Sequence, residues 1–298
     1  MTELKPPMDF DEQVEILMRH GMVVNDKEQA AEILRHINYY RFSGYALEFR
    51  RDVNSSNYIE KTTFEEVYAI YKVDQQLRDL LRLYIEKVEI YYRTQIAYGF
   101  TSSICQTAPY DQHYDEQNYS SVEKFNKVKD AVRDQKRYYK DSLVIKHHRE
   151  KYGDKLPLWV LVEMMSFSCL SKLYCCMRNA EKNLIANMNG VNANTLKNHL
   201  HALSTLRNKC AHAGRLYNVE LKPPVKLSQQ FLKKNPEVSN SSLFAYLLVL
   251  IKRLPDRIDK KDLKDQVVGL IELNNEKLDI SLMGFPSNYK DLLNNQVI

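Results

Sequence analysis

Arg207, Asn208 and His212 form the polar cluster best suited to chemistry, inside the stretch LSTLRNKCAHAGRLYN (Leu203 to Asn218). An imidazole moves a proton near neutral pH, and a guanidinium five positions away holds developing negative charge. The pair suits phosphodiester cleavage. The stretch reads as a helix end. Gly214 is well placed as a left-handed residue just past the terminus, a conformation few other residue types tolerate. His212 then falls in the last turn, where the helix dipole favours an imidazolium. Five residues at 100° each set Arg207 and His212 about 140° apart on a regular helix, so they do not share a face. A site using both requires a distorted helix end or a second copy of the helix facing the first. The favoured arrangement is a two-fold dimer whose twin helices each supply an Arg and a His. Spacing alone is equally met by capping and by a solvated surface.

Several helices must position this cluster. Asn192 or Asn194 caps its own helix, with Leu196, Leu200, Leu203 and Leu206 on the apolar side and His199, His201 and Arg207 on other faces. Thr63 with Glu66 fits a capping box opening a long helix through about Tyr98, ended by Gly99. Its stripe runs through Val67, Ile70, Val73, Leu77, Leu80, Leu81, Tyr84, Val88, Tyr91 and Tyr92. Glu89 and Arg93, at i and i+4, are either a solvated pair or a buttress for the Arg207 helix. Pro157 opens another helix, apolar nearly all round from Trp159 to Phe167, which predicts a central, buried element. Glu163 within it needs a partner, because isolated burial of a carboxylate costs several kcal/mol. It either orients Arg207 or another cation, or sits at a helix edge bonded to a hydroxyl or water.

RNKCAHAGRLYN resembles the Arg-Asn-x-x-x-His signature of HEPN ribonucleases, and more narrowly the abortive-infection (Abi) proteins of the AbiD/AbiF type. INYYRFSGYALEFR (Ile37 to Arg50), LPLWVLVEMMSFSCLSKLY (Leu156 to Tyr174) and, more weakly, IEKVEIYYRTQIAY (Ile85 to Tyr98) match in the same order, from about Leu17 to Asn218. The resemblance implies an all-α, HEPN-like helical bundle and a metal-independent endoribonuclease. It implies catalytic roles for Arg207, Asn208 and His212, and a toxin-like protein that halts growth after phage infection, restrained until triggered. The chain departs from the usual pattern at Ala213, where family members often carry a second His, so a helper imidazole is absent there.

Composition agrees with an all-α chain. Gly (8) and Pro (9) are scarce among 298 residues, and 44% hydrophobic with 27% charged residues is ordinary for a water-soluble fold. A net charge of +5 allows a nucleic-acid partner without requiring one. The five Cys contain no C-x-x-C pair, which points to buried thiols in a reducing cytoplasm and away from zinc. MTELKPPMDF lacks a signal-peptide core, and no apolar run reaches the roughly 20 residues of a membrane span. No cofactor or metal is expected.

Three segments follow: a small N-terminal helical subdomain (1–55, closing in the loop DVNSSN, Asp52 to Asn57), a HEPN-like core (56–220) and a C-terminal helical extension (221–298) that closes the bundle or completes a dimer surface. Phe10, Val14, Leu17 and Met18 form a first stripe ended near Gly21, and Asn25 or Asp26 caps a second helix. Thr101 to Tyr119 reads as a long loop, and Ser121 to Lys151 as charged helix. Helices are also expected from Ser239 or Asn240, and from Lys260 to Glu276. Basic and aromatic residues interleave at Tyr39, Tyr40 and Arg41, and again at Lys136, Arg137, Lys146, His147 and Arg149; with Arg215 these are candidate RNA contacts. The alternatives are amphipathic core tyrosines and a solvated helix face. Adjacent His147 and His148 diverge on a helix and have no third ligand. The expected partners are RNA substrate, a structured inhibitory RNA and a second copy of the chain, with no membrane. The competing function is a non-cleaving RNA-binding regulatory module; a structural helical adaptor is a third.

Overall fold

The computed structural model describes residues 6–52, 55–153 and 155–297. Residues 1–5, part of the stretch read for a signal-peptide core, and residues 53 and 54 of the Asp52 to Asn57 loop lie outside the described residues. Fourteen α-helices and no β-sheet occur among the described residues, in agreement with the all-α expectation. None of these helices is long and apolar enough to cross a membrane.

The longest, α4 (Phe64–Ile104), is the axis of the bundle. Its start is set chemically: Thr63 Oγ1 accepts from Glu66 N at 3.1 Å while Glu66 Oε2 accepts from Thr63 N at 2.9 Å, together worth about 1 kcal/mol or more. Val67, Ile70, Leu77, Leu81, Ile85, Val88 and Tyr92 recur at helical spacing and are all buried. Against this face pack α10 (Ala193–Ala211), α9 (Asn179–Met188), α12 (Leu243–Arg253) and α13 (Arg257–Glu272). α8 (Phe167–Cys176) packs on α10 and on α5 (Val122–Tyr138). The N-terminal α1 (Phe10–Arg19) and α2 (Lys27–Ile37) pair with each other, and α3 (Tyr39–Tyr45) lies on α4.

The C-terminal helices close the bundle. Every residue of α12 from Leu243 to Ile251 is buried, and α12 touches α4, α10, α13 and α14 (Tyr289–Val297). Its cap is Ser242, not Ser239 or Asn240, and α13 stops at Glu272.

Further expectations are corrected. Gly99 does not end α4, which continues to Ile104; instead it lets α9 approach, for a Cβ at Gly99 would overlap Ile185 Cγ1. The 101–119 segment is helix to Ile104 and then carries two 3-10 turns, Gln112–Tyr114 and Glu116–Asn118. The apolar run from Leu158 is no central helix. It is a four-residue α7 (Leu158–Leu161) and a 3-10 turn (Val162–Met164), cut from α8 by Ser166, whose side chain caps Cys169 N at 3.2 Å. Trp159 is therefore 53% exposed and the Glu163 side chain 62% exposed. The charged region is likewise two helices, α5 and α6 (Leu143–Tyr152), because Ser142 caps a new start.

Candidate active site

α10 carries the Arg-Asn-x-x-x-His cluster, and its rotation is fixed by burial. Asn192 Oδ1 accepts from Thr195 N at 2.8 Å, and Leu196, Leu200, Leu203 and Leu206 are fully buried. Locked by that seam, Arg207 faces α4. Its Nε lies 3.5 Å from Glu89 Oε2, and its side chain stays 38% exposed. Glu89 is 5% exposed and shared, since its other oxygen takes Arg93 Nη2 at 2.5 Å. Arg93 in turn donates to the carbonyls of Glu163 and Met165, both at 2.7 Å. A buried carboxylate with two guanidiniums is compensated, and removing it would strand both cations. Asn208 Nδ2 donates to Ser168 Oγ at 3.0 Å, which ties α10 to α8; Asn208 Oδ1 sits 3.5 Å from Arg207 Nη1.

Arg207 opens into a cleft of about 690 Å³ that also meets Arg82, Glu86, Glu89, Arg93 and Glu163. Of the cations considered for Glu163, it contacts the other one, Arg93 Nη1 at 3.6 Å, and not Arg207, from the solvent-facing turn after α7. Ala211 reaches the cleft, but His212 does not line it.

His212 is the C-cap of α10 and is exposed. Beyond it the chain forms a Schellman turn, with Gly214 N on Lys209 O at 2.7 Å and Ala213 N on Cys210 O at 3.2 Å. The left-handed residue is Ala213 (φ +52), not Gly214. Gly214 is needed for closeness instead, because a Cβ would stand 2.7 Å from Lys209 Cγ.

Asp74 and Arg78, absent from the sequence reading, and Arg41 and Arg215, two of its candidate RNA contacts, hold the loop behind His212. Asp74, 2% exposed on α4, accepts from Leu216 N at 3.1 Å, Tyr217 N at 2.9 Å and Tyr45 Oη at 2.5 Å, and pairs with Arg78. Burial pushes its carboxyl upward, opposed by Tyr45, Arg78 and the two amides. Arg41 donates to Ala213 O, and Arg215 donates to Gly44 O, so α3 clasps the same loop. The available signal was a carboxylate and an arginine, Asp74 and Arg78, at i and i+4 among the apolar positions of α4.

The remaining candidates fall apart in space. Tyr40 is 86% exposed, whereas Tyr39 is half-buried and its hydroxyl is pushed upward by burial. Lys136, Arg137 and Arg149 line one groove between α5 and α6. Lys146 and His147 are exposed and line none of the described clefts; Lys146 lies 3.6 Å from Asp141. His199, placed by its spacing on a face other than the apolar one, is 2% exposed; Nε2 lies 2.8 Å from Lys226 O, and burial lowers its pKa to about 4. Among the described residues no group of three or more His, Cys, Asp or Glu could hold a metal ion.

Chemically, the arrangement offers an oriented guanidinium on a cleft wall and an exposed imidazole at the end of the same helix. No curated protein and no solved structure matches the chain. The family model described as Abi-like protein matches residues 32–218, which takes in α3, the Glu89 and Arg93 region of α4, and the whole of α10 with its closing loop. The chain belongs to the Abi-like protein family.

Proposed function

We propose that this chain is a metal-independent endoribonuclease of the HEPN type, acting in abortive-infection defence in the cytoplasm, with a composite site formed by two copies. The observation that carries the reading is the split on α10: Arg207 is held by buried Glu89 inside a cleft, while His212 stands exposed outside it. Two-fold pairing of α10 with its copy would bring each exposed imidazole to the other chain's guanidinium. His212 takes the proton of the RNA 2′-hydroxyl, or in its charged form gives one to the departing 5′-oxygen. The 2′-oxygen attacks the adjacent phosphorus and the bond to the 5′-oxygen breaks. Arg207 stabilises the negative charge of the pentacovalent intermediate. Asn208 positions Arg207 through Ser168. An unrestrained ribonuclease would harm its host, so the resting protein is held inactive by a bound structured RNA or by a conformational lock on the dimer.

The test is incubation of wild type and an Arg207→Ala/His212→Ala double variant with total cellular RNA in EDTA, with product ends mapped. Wild type alone should leave 2′,3′-cyclic phosphate and 5′-hydroxyl ends, and should leave DNA intact. Cleavage by the double variant would end the reading. RNA affinity without product, after every release condition tried, would favour the non-cleaving RNA-binding module.

A further inference from the structure

A second cleft, of about 550 Å³, lies where the 3-10 turns after α4 meet α6 and α7. Its walls carry three aromatic rings that the fold leaves in solvent: Tyr110 (56% exposed), Tyr152 (56%) and Trp159 (53%). Large exposed rings gathered in one concavity are a recognition feature, because folding gains nothing from leaving them wet. Tyr110 is held at φ +61, a conformation a bulky residue adopts only when its surroundings impose it. Asp111 and Lys155 form an ion pair in the same cleft, a donor and an acceptor beside the rings.

The neighbouring groove supplies charge. α6 is the shared wall: His148 and Tyr152, at i and i+4, line the aromatic cleft, while Arg149 lines a groove of about 440 Å³ on α5. Tyr114, which lines that groove, accepts from the amide of Leu156, which lines the aromatic cleft, at 2.9 Å. Lys129, Arg133, Lys136 and Lys140 line the groove at steps of four, three and four residues. A helical rise spaces the first three about 4.5–6 Å apart, and Lys140 follows in the turn past the end of α5. Asp130 and Asp134 pair with Arg133 and Arg137 but do not line it, and no carboxylate among the described residues does.

We propose that the two clefts together bind an unpaired stretch of RNA, with bases stacked on Trp159, Tyr152 and Tyr110 and backbone phosphates along the Lys129–Lys140 row. A row of cations complements a polyanion, and sequence-tolerant stacking on exposed rings requires bases free of a duplex. The assignment deepens the ribonuclease reading and rests on it only for RNA over DNA. The segment after Pro157 borders both sites, with Trp159 in the aromatic cleft and Glu163 four residues on in the Arg207 cleft. A strand held at the rings is thereby held beside the cleft where Arg207 acts.

Trp159 is the chain's single tryptophan, so its fluorescence reports the site directly. The protein carrying His212→Ala, which cannot cleave, would be titrated in EDTA with an octauridylate and with a linear polyphosphate of equal charge. The octauridylate should quench the emission and the polyphosphate should not. Tyr152→Ala should weaken octauridylate binding roughly 5- to 150-fold, Tyr152→Phe should restore it, and Lys129→Ala with Lys136→Ala should lower the salt slope by about 1–2. Octauridylate binding that leaves Trp159 emission unchanged, binding indifferent to Tyr152→Ala, or no binding at low salt would overturn the assignment. The readout needs no cleavage. An enzyme that cuts RNA without quenching therefore loses this site alone, and one that quenches but never cuts loses the ribonuclease reading alone.

Discussion

The Arg207 cleft and the Trp159 cleft border the same short segment and are built on opposite terms. In the first, a 5%-exposed Glu89 bridges two arginines, and two backbone carbonyls hold the Arg93 Nη groups, so these polar groups are fixed before any ligand arrives. In the second, the rings stand about half in solvent, and Tyr152 is met by the His148 ring at 5.8 Å and by Lys151 Nζ at 5.3 Å instead of by buried charge. The lesson concerns cost. Buried charge must be compensated or the fold fails, so that cleft is part of the stability of the bundle. Half-exposed rings add less to the free protein than a compensated buried charge, so substitutions there should disturb the fold less. Preorganised charge suits a transition state, and loosely held rings suit a strand that must be gripped and released.

This contrast can be broken at graded strengths. The largest effect belongs to the proposed reacting groups. Arg207→Ala or His212→Ala should each lower cleavage by about 10²- to 10⁴-fold, and His212→Ala should leave the melting temperature where it was, because His212 is exposed. Next comes the anchor. Glu89→Ala should cost about 3 kcal/mol in a urea titration and slow cleavage too, as it takes from the largely buried Arg93 its closest carboxylate and leaves Arg207 unheld. Stability unaffected by Glu89→Ala would erase the difference between the two clefts.

A smaller effect lies further up α10. His199 is buried with a pKa lowered to about 4, from an ordinary value of 6.5. A depressed folded-state pKa means that the unfolded chain binds the extra proton first. The stabilisation is therefore complete above pH 6.5 and is lost as pH falls toward 4. Between pH 7 and 5 this amounts to about 2 kcal/mol. His199→Gln should flatten that part of the stability profile. Smallest of all, Trp159→Ala and Glu163→Gln should each shift stability by less than about 0.5 kcal/mol, since both side chains are more than half exposed. A large loss with Trp159→Ala would show that its ring is structural after all.

Much of the scaffold was readable from pattern. The Thr63 and Glu66 capping box, the Asn192 cap and the leucine seam of α10 are local signals, and each appears where local chemistry puts it. The failures came where a distant partner decides. Gly99 looks like a stop but is a contact for Ile185 from α9, a residue more than eighty positions away. Glu163 looks buried because its neighbours are apolar, yet Ser166 ends the run and turns the carboxylate outward. Asp74 passes unnoticed because, apart from Arg78 four positions on, its donors Tyr45, Leu216 and Tyr217 are distant in sequence and gathered only by the fold. The cation row on α5 was visible as composition, but its convergence with Arg149 requires the turn at Ser142.

The composite site is the central claim, and subunit mixing tests it most directly. Arg207→Ala and His212→Ala proteins would be prepared separately, each inactive, then unfolded and refolded together in equal amounts and assayed on RNA in EDTA. If each site takes Arg207 from one chain and His212 from the other, mixed dimers hold one intact site. Activity should then return to about a quarter of wild type by random pairing. A mixture as inactive as its components, beside a wild type that cleaves, would place both groups within one chain and contradict the account.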